Sequence, residues 1–244
     1  MHENELWLTA WFNDHLAGVA TSILSAVKVT PEDAARPWQN WIVMEILVVA
    51  ILMVLFAFLR PRLSVDKPGK LQHIFELFYG FFKSSVEDAG VPHGEKYVPY
   101  IGTLFIFILV MNLIGIIPSF ESPTMNASVT LGLGLATFVY YNFWGFSAHG
   151  PKYMLQLMGP VWWLAPLMIP IEIFSHLARP MSLTIRLYAN MVAGEQVTSA
   201  FLNVAKFIIP VIFMGLHVFV AFLQAYIFML LSIVYIRGAV AHDH

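Results

Sequence analysis

The sequence predicts an all-α integral membrane protein with five transmembrane helices and an amphipathic helix in the cytoplasmic interface, the last two spans being long and strongly tilted. Three observations carry this. Of 244 residues, 59% are hydrophobic and 11% are charged, where an ordinary soluble domain carries about 25% charged residues. Several apolar runs are longer than a soluble core needs. Residues 71–88 set polar and apolar side chains at helical spacing on opposite faces. A net charge of -2 gives no basic field for nucleic acid. With no cysteine, disulfides, thiolate metal sites and cysteine nucleophiles are excluded.

Residues 1–40 form an outside N-terminal segment. The start, Met1-His2-Glu3-Asn4-Glu5, lacks the basic and apolar regions of a removable signal peptide. The first span, 41–59, has Glu45 as its only charge and is closed by Arg60-Pro61-Arg62. Next come 97–120 and 128–148, both without charge, joined by the turn formers Glu121-Ser122-Pro123-Thr124; they read as a hairpin of spans. From Tyr153 to Ile171 the chain is apolar but holds Gly159, Pro160, Pro166 and Pro170, which disturb helix hydrogen bonds that lipid cannot replace. Its first part is therefore a connecting segment. The fourth span, 166–201, carries Glu172, Arg179, Arg186 and Glu195 in apolar surroundings. The fifth, 207–236, has no formal charge; at about 1.5 Å per residue it is roughly 45 Å long against a hydrocarbon core of about 30 Å, so it tilts. In 71–88 the residues Gln72, Glu76, Gly80, Lys83 and Glu87 share one face, which suits a helix lying in the interface. No repeat at a fixed period is present.

Sidedness follows from the basic residues. Arg60, Arg62, Lys67, Lys70, Lys83 and Lys96 follow the first span, and only Lys28 and Arg36 precede it. The expected placement is a multi-pass protein of a bacterial inner membrane, N-terminus outside and C-terminus cytoplasmic.

An ionisable residue inside a span costs about 2.5 to 3.5 kcal/mol on insertion scales and marks function by default. At about 100° per residue, Glu172, Ser175, Arg179, Ser182 and Asn190 all project within about 40° of Arg186, giving one polar seam. Glu195 projects about 180° away. His217 and Gln224, seven apart, share a face of the last helix. Plainer readings compete. Ser175, Ser182 and Asn190 could simply hold helices together, Glu172 and Arg179 could snorkel to the interface, Glu45 could sit at the outer headgroups, and His176 and His217 could be packing residues. For Arg186, too deep for easy escape, the plain reading is a structural salt bridge.

The run from Pro180 through Ser182, Arg186, Asn190 and Gly194 to Glu195 resembles the signature of subunit a of the F-type ATP synthase. Pro68 to Gln72, Met111-Asn112-Leu113 with Pro118, Asn126 to Thr130, and His217 to Tyr235 agree in order. The resemblance covers nearly everything after residue 40. It implies a non-catalytic proton-channel subunit without cofactor, packed in the lipid bilayer against a rotating ring of c subunits and held by peripheral-stalk b subunits. By that likeness Arg186 faces the ring. Asn190, Glu195, His217 and Gln224 line the outer half-channel, and Ser182, Ser175 and Glu172 lie toward the cytoplasmic one. Gly115 and Ala178 stand where some relatives have aspartate and serine, so neither position takes a polar role.

Elementary chemistry agrees. Arginine keeps its proton, so Arg186 acts as a fixed charge rather than a relay. A ring carboxylate ionises more readily beside it, which blocks direct proton passage between half-channels. Glu195 and His217 can titrate and suit proton uptake. Whether the ion is H⁺ or Na⁺ is decided by the ring's own site. The competing class is a stand-alone secondary transporter or channel using Arg186 at the midplane, although such proteins usually show internal repeats.

Overall fold

The computed structural model describes residues 5–26, 36–64, 68–117, 120–153, 165–204 and 208–241. Among the described residues the fold is seven α-helices without a strand: α1 Trp7–Ala26, α2 Asn40–Leu59, α3 Lys70–Asp88, α4 Val98–Ile114, α5 Ala127–His149, α6 Ala165–Val204 and α7 Ile208–Val240. Most of the connecting segment expected after Tyr153 lies outside the described residues, as does Pro118.

Three differences from the sequence reading have physical causes. The N-terminal segment contains a 20-residue helix, α1, that the first 40 residues did not announce, because polar residues interrupt its apolar positions. The apolar run 97–120 is not one helix, since α4 stops at Ile114. There Ser122 donates its Oγ hydrogen to the carbonyl of Met111 at 2.8 Å, and Thr124 donates to Asn112 Oδ1 at 2.7 Å. These bonds serve carbonyl and amide groups at the helix end that would otherwise be orphaned. Finally, Gln72 is buried rather than facing solvent with the polar stripe of α3. It accepts from Ser64 N and donates to Ser64 O, both at 3.0 Å, and so ties the loop after α2 to α3.

Two helices, Asn40–Arg62 and Ile212–Val240, are long and apolar enough to cross a membrane, and Val98–Ile114 is a shorter apolar helix. α5 and α6 are less apolar because they carry the polar residues described below. The core follows helical spacing. Ile101, Phe105, Ile108 and Met111 of α4 meet Ala225, Met229, Ile233 and Ile236 of α7, and Leu183, Leu187 and Met191 of α6 join them. α5 contributes small and polar positions instead, burying Thr130, Gly134, Thr137, Tyr141 and Gly145. This lets α6 come close: a Cβ on Gly134 would stand 2.6 Å from Thr184 Oγ1 and 2.9 Å from Pro180 O. Any larger residue would push α5 and α6 apart. On α3, Leu71, Ile74, Leu77 and Phe81 are exposed while Phe82 and Val86 are buried.

Candidate functional site: a polar seam between two polar ends

α6 is 40 residues long, about 60 Å at 1.5 Å per residue. Its buried edge is the apolar stripe Leu183, Leu187, Met191, and that stripe fixes which way the remaining faces point. Ser175 and Ser182 are exposed, and Glu172, Arg179, Arg186 and Asn190 are half-buried. The seam therefore opens away from the helix bundle. Arg186 stands near the middle of the helix. Among the described residues it forms neither an ion pair nor a side-chain hydrogen bond.

At the Glu195 end, α6 and α7 meet through Gly194. The His217 ring reaches within 3.3 Å of where a Gly194 Cβ would be, so a larger residue there would have to displace the ring by a few tenths of an ångström. A cavity of about 210 Å³ opens here, lined by Asn190, Gly194, Thr198, Phe213 and His217. The Nε2 atom of His217 is buried without a hydrogen-bond partner among the described residues. Glu195 opens instead onto a second, larger cavity of about 840 Å³, which Asn40, Glu121, Ser122 and Asn126 also line. Adjacent positions on α6 thus serve two cavities. No direct hydrogen bond joins Glu195 to His217 among the described residues, and the His217 ring lies beside Gly194, the residue next to Glu195. Gln224 is buried, and one turn earlier Asn112 Nδ2 donates to the Ala221 carbonyl at 3.4 Å.

The Glu172 end is built differently. Arg179 pairs with Glu172 at 3.7 Å, and its guanidinium lies over the Tyr235 ring at 5.5 Å from the centroid. It is a partner in a network. Beside it, His176 packs among Phe138, Tyr141 and Tyr153. Asn142 Oδ1 accepts from Tyr153 OH at 3.1 Å and lies 3.1 Å from His176 Nε2. An oxygen facing that nitrogen requires Nε2 to carry the hydrogen. Close by, Gly90 at the end of α3 lies against the Arg237 guanidinium of α7.

Glu172 and Glu195 are 23 residues apart on one helix, about 34 Å along the axis, which is close to the thickness of a hydrocarbon core. Sequence reasoning missed Glu121 and Asn40 at one end, and Asn142, Tyr153 and Tyr235 at the other. Asn142 was visible as an amide inside an apolar run. Glu121 looked like an ordinary turn residue.

A sequence profile of the family described as ATP synthase A chain matches residues 42–237. ATP synthase subunit a of Solibacter usitatus is 58% identical over 234 residues, 96% of this chain and 100% of its own length. The same-named protein of Koribacter versatilis is 48% identical, covering 99% of both chains. ATP synthase subunit a 3 of Pelobacter propionicus is 39% identical over 81% of this chain and 86% of its own. A match over this length, with the polar seam and Arg186 inside it, shows that the chain belongs to the ATP synthase A chain family.

Proposed function

We propose that the chain is the stator half of the proton path in the membrane sector of a bacterial ATP synthase. The observation that carries this is Arg186. It is a permanent cation at the centre of a long helix, turned to an open seam and without an ionic partner among the described residues. A cation placed so in lipid is costly and becomes favourable when an ionised carboxylate from a neighbouring subunit faces it. A rotating ring of c subunits, each with one membrane carboxyl, supplies that partner in turn.

In this reading five helices, α2 and α4 to α7, cross the bilayer, α3 lies in the cytoplasmic interface, and α6 and α7 tilt because their lengths exceed the hydrocarbon core. The N-terminus and the Glu195 end lie outside, and the C-terminus and the Glu172 end face the cytoplasm. Peripheral-stalk b subunits hold the chain against rotation. Protons reach the ring from outside past Glu195, Asn190, His217 and Gln224, and leave along Ser182, Ser175 and Glu172. Arg186 keeps the two routes from joining, because a guanidinium neither gives up nor passes on a proton. Each charge that crosses yields about 2.3 kcal/mol per 100 mV for turning the ring.

The test is Arg186→Ala in the complete complex, with ATP-driven proton pumping measured in inverted membrane vesicles. Pumping is expected to vanish while ring and stator still copurify. Arg186→Ala with full coupled pumping overturns the reading.

A further inference from the structure

The larger cavity at the Glu195 end has a wall that the family match leaves out. That match begins at residue 42, yet Glu5, Thr9, Asn13, Arg36 and Trp38 line the cavity together with Glu121 and Glu195. The wall is built rather than merely draped. Asn13 donates to Glu5 Oε1 at 2.8 Å and to the Trp38 carbonyl at 3.1 Å, and accepts from Trp38 N at 3.0 Å. The Trp38 indole donates to the Leu16 carbonyl at 2.9 Å, and Arg36 pairs with Glu5. Asn40 joins this wall to the helix bundle: Oδ1 accepts from Leu6 N at 3.3 Å while Nδ2 donates to Glu121 Oε1 at 3.5 Å.

What the cavity would hold follows from its lining. Glu121 and Glu195 both line it, and Arg36, its one basic lining residue among the described residues, is engaged by Glu5. Thr9 lines it too. Its side chain is 1% exposed, and its hydroxyl has no hydrogen-bond partner among the described residues. A buried hydroxyl left so is expected to be served by solvent or an ion in the cavity, since an unsatisfied polar group costs free energy. Two carboxylates in one partly enclosed space raise the local concentration of cations.

Building on the proton path proposed above, we infer that residues 5–26 and 36–41 wall a hydrated, cation-collecting vestibule, and that Glu121, positioned by Asn40, is its proton-binding carboxylate. A proton taken up by Glu121 from outside water is passed through water to Glu195, and the Glu121 carboxylate returns to its starting state, so nothing is consumed.

The experiment uses the complete synthase in membranes and exploits the absence of cysteine in this chain. A thiol introduced by Gln39→Cys, at an exposed position of the cavity lining, is modified from outside with a cationic or an anionic methanethiosulfonate. The cationic reagent is expected to react roughly tenfold faster, and Glu121→Gln in the same background is expected to remove most of that preference. Passive proton conduction should fall several-fold in Glu121→Gln and recover in Glu121→Asp. Equal rates with both reagents, together with unchanged conduction in Glu121→Gln, overturn the inference. Arg186→Ala separates the two levels: if it abolishes pumping while Glu121→Gln conducts normally, only the vestibule falls, and if it pumps normally, the proton path itself falls.

Discussion

The two polar ends of α6 use the same kinds of residue to opposite effect. At the Glu195 end the polar groups stand around open space, with cavities of about 840 and 210 Å³. At the Glu172 end they close on each other, with Glu172 on Arg179, Arg179 on Tyr235, and Tyr153 and His176 sharing Asn142 Oδ1. A group surrounded by room for water can change its protonation, whereas a group bonded into a side-chain network mainly holds helices in place. The first end suits proton uptake, and at the second the network of Arg179, Tyr235, Asn142, Tyr153 and His176 suits anchoring beside the proposed exit along Ser182, Ser175 and Glu172, with Arg186 between the two ends. Substitutions should therefore separate proton flow from stability.

The largest effect is expected at Glu195. Replacing it with Gln keeps shape and hydrogen bonding but removes the titrating group, so ATP-driven proton flux in inverted vesicles should drop about a hundredfold, while stability shifts by less than about 0.5 kcal/mol. A large stability loss would break the distinction between the ends. Next comes Asn142→Leu at the other end, which leaves Tyr153 OH and the His176 Nε2 hydrogen without their shared acceptor. It should cost about 1–3 kcal/mol in denaturant unfolding of the detergent-solubilised chain, with flux per folded complex little changed. Arg179→Leu should cost less, about 1 kcal/mol by the same assay. It removes a partly exposed ion pair and a stacking contact, both modest when solvated.

The smallest effect belongs to a surface pair outside both ends. Lys83 Nζ lies 2.7 Å from Glu95 Oε1. That hydrogen bond and its charge hold the lysine above its ordinary range and the Glu95 carboxyl below its own. The signs set a window. The support that Glu95 gives is present above the usual carboxylate pKa and fades as pH falls through its depressed value. The support from Lys83 is present below the usual lysine pKa and fades as pH rises through its raised value. Amide exchange in α3 should thus be slightly faster in Lys83→Gln than in the parent near pH 7, and the difference should disappear in strong acid. A difference that persists there would show that the pair does not act through charge.

Much of the scaffold was legible because lipid permits few solutions. Long uncharged runs favour helices, and among the described residues the fold is helical without a strand. The ends of α4 were not legible, since what stops it is Ser122 and Thr124 folding back from the following turn, a contact that hydropathy does not encode. The seam of Glu172, Ser175, Arg179, Ser182, Arg186 and Asn190 could be drawn from helical period alone. What it faces depends on which edge of α6 is buried, and that is settled by packing of Leu183, Leu187 and Met191. Glu121 and the N-terminal wall escaped notice for the same reason: their partners are 34 and 81 residues away in sequence.

The ionic partner of Arg186 is expected to belong to another subunit. A structure of the assembled membrane sector tests this most directly. It is expected to show the ring carboxylate nearest α6 within about 4 Å of the Arg186 guanidinium, on the seam that Ser182 and Asn190 share. A ring that packs against another helix, or an Arg186 guanidinium paired with a carboxylate of its own chain, would contradict it.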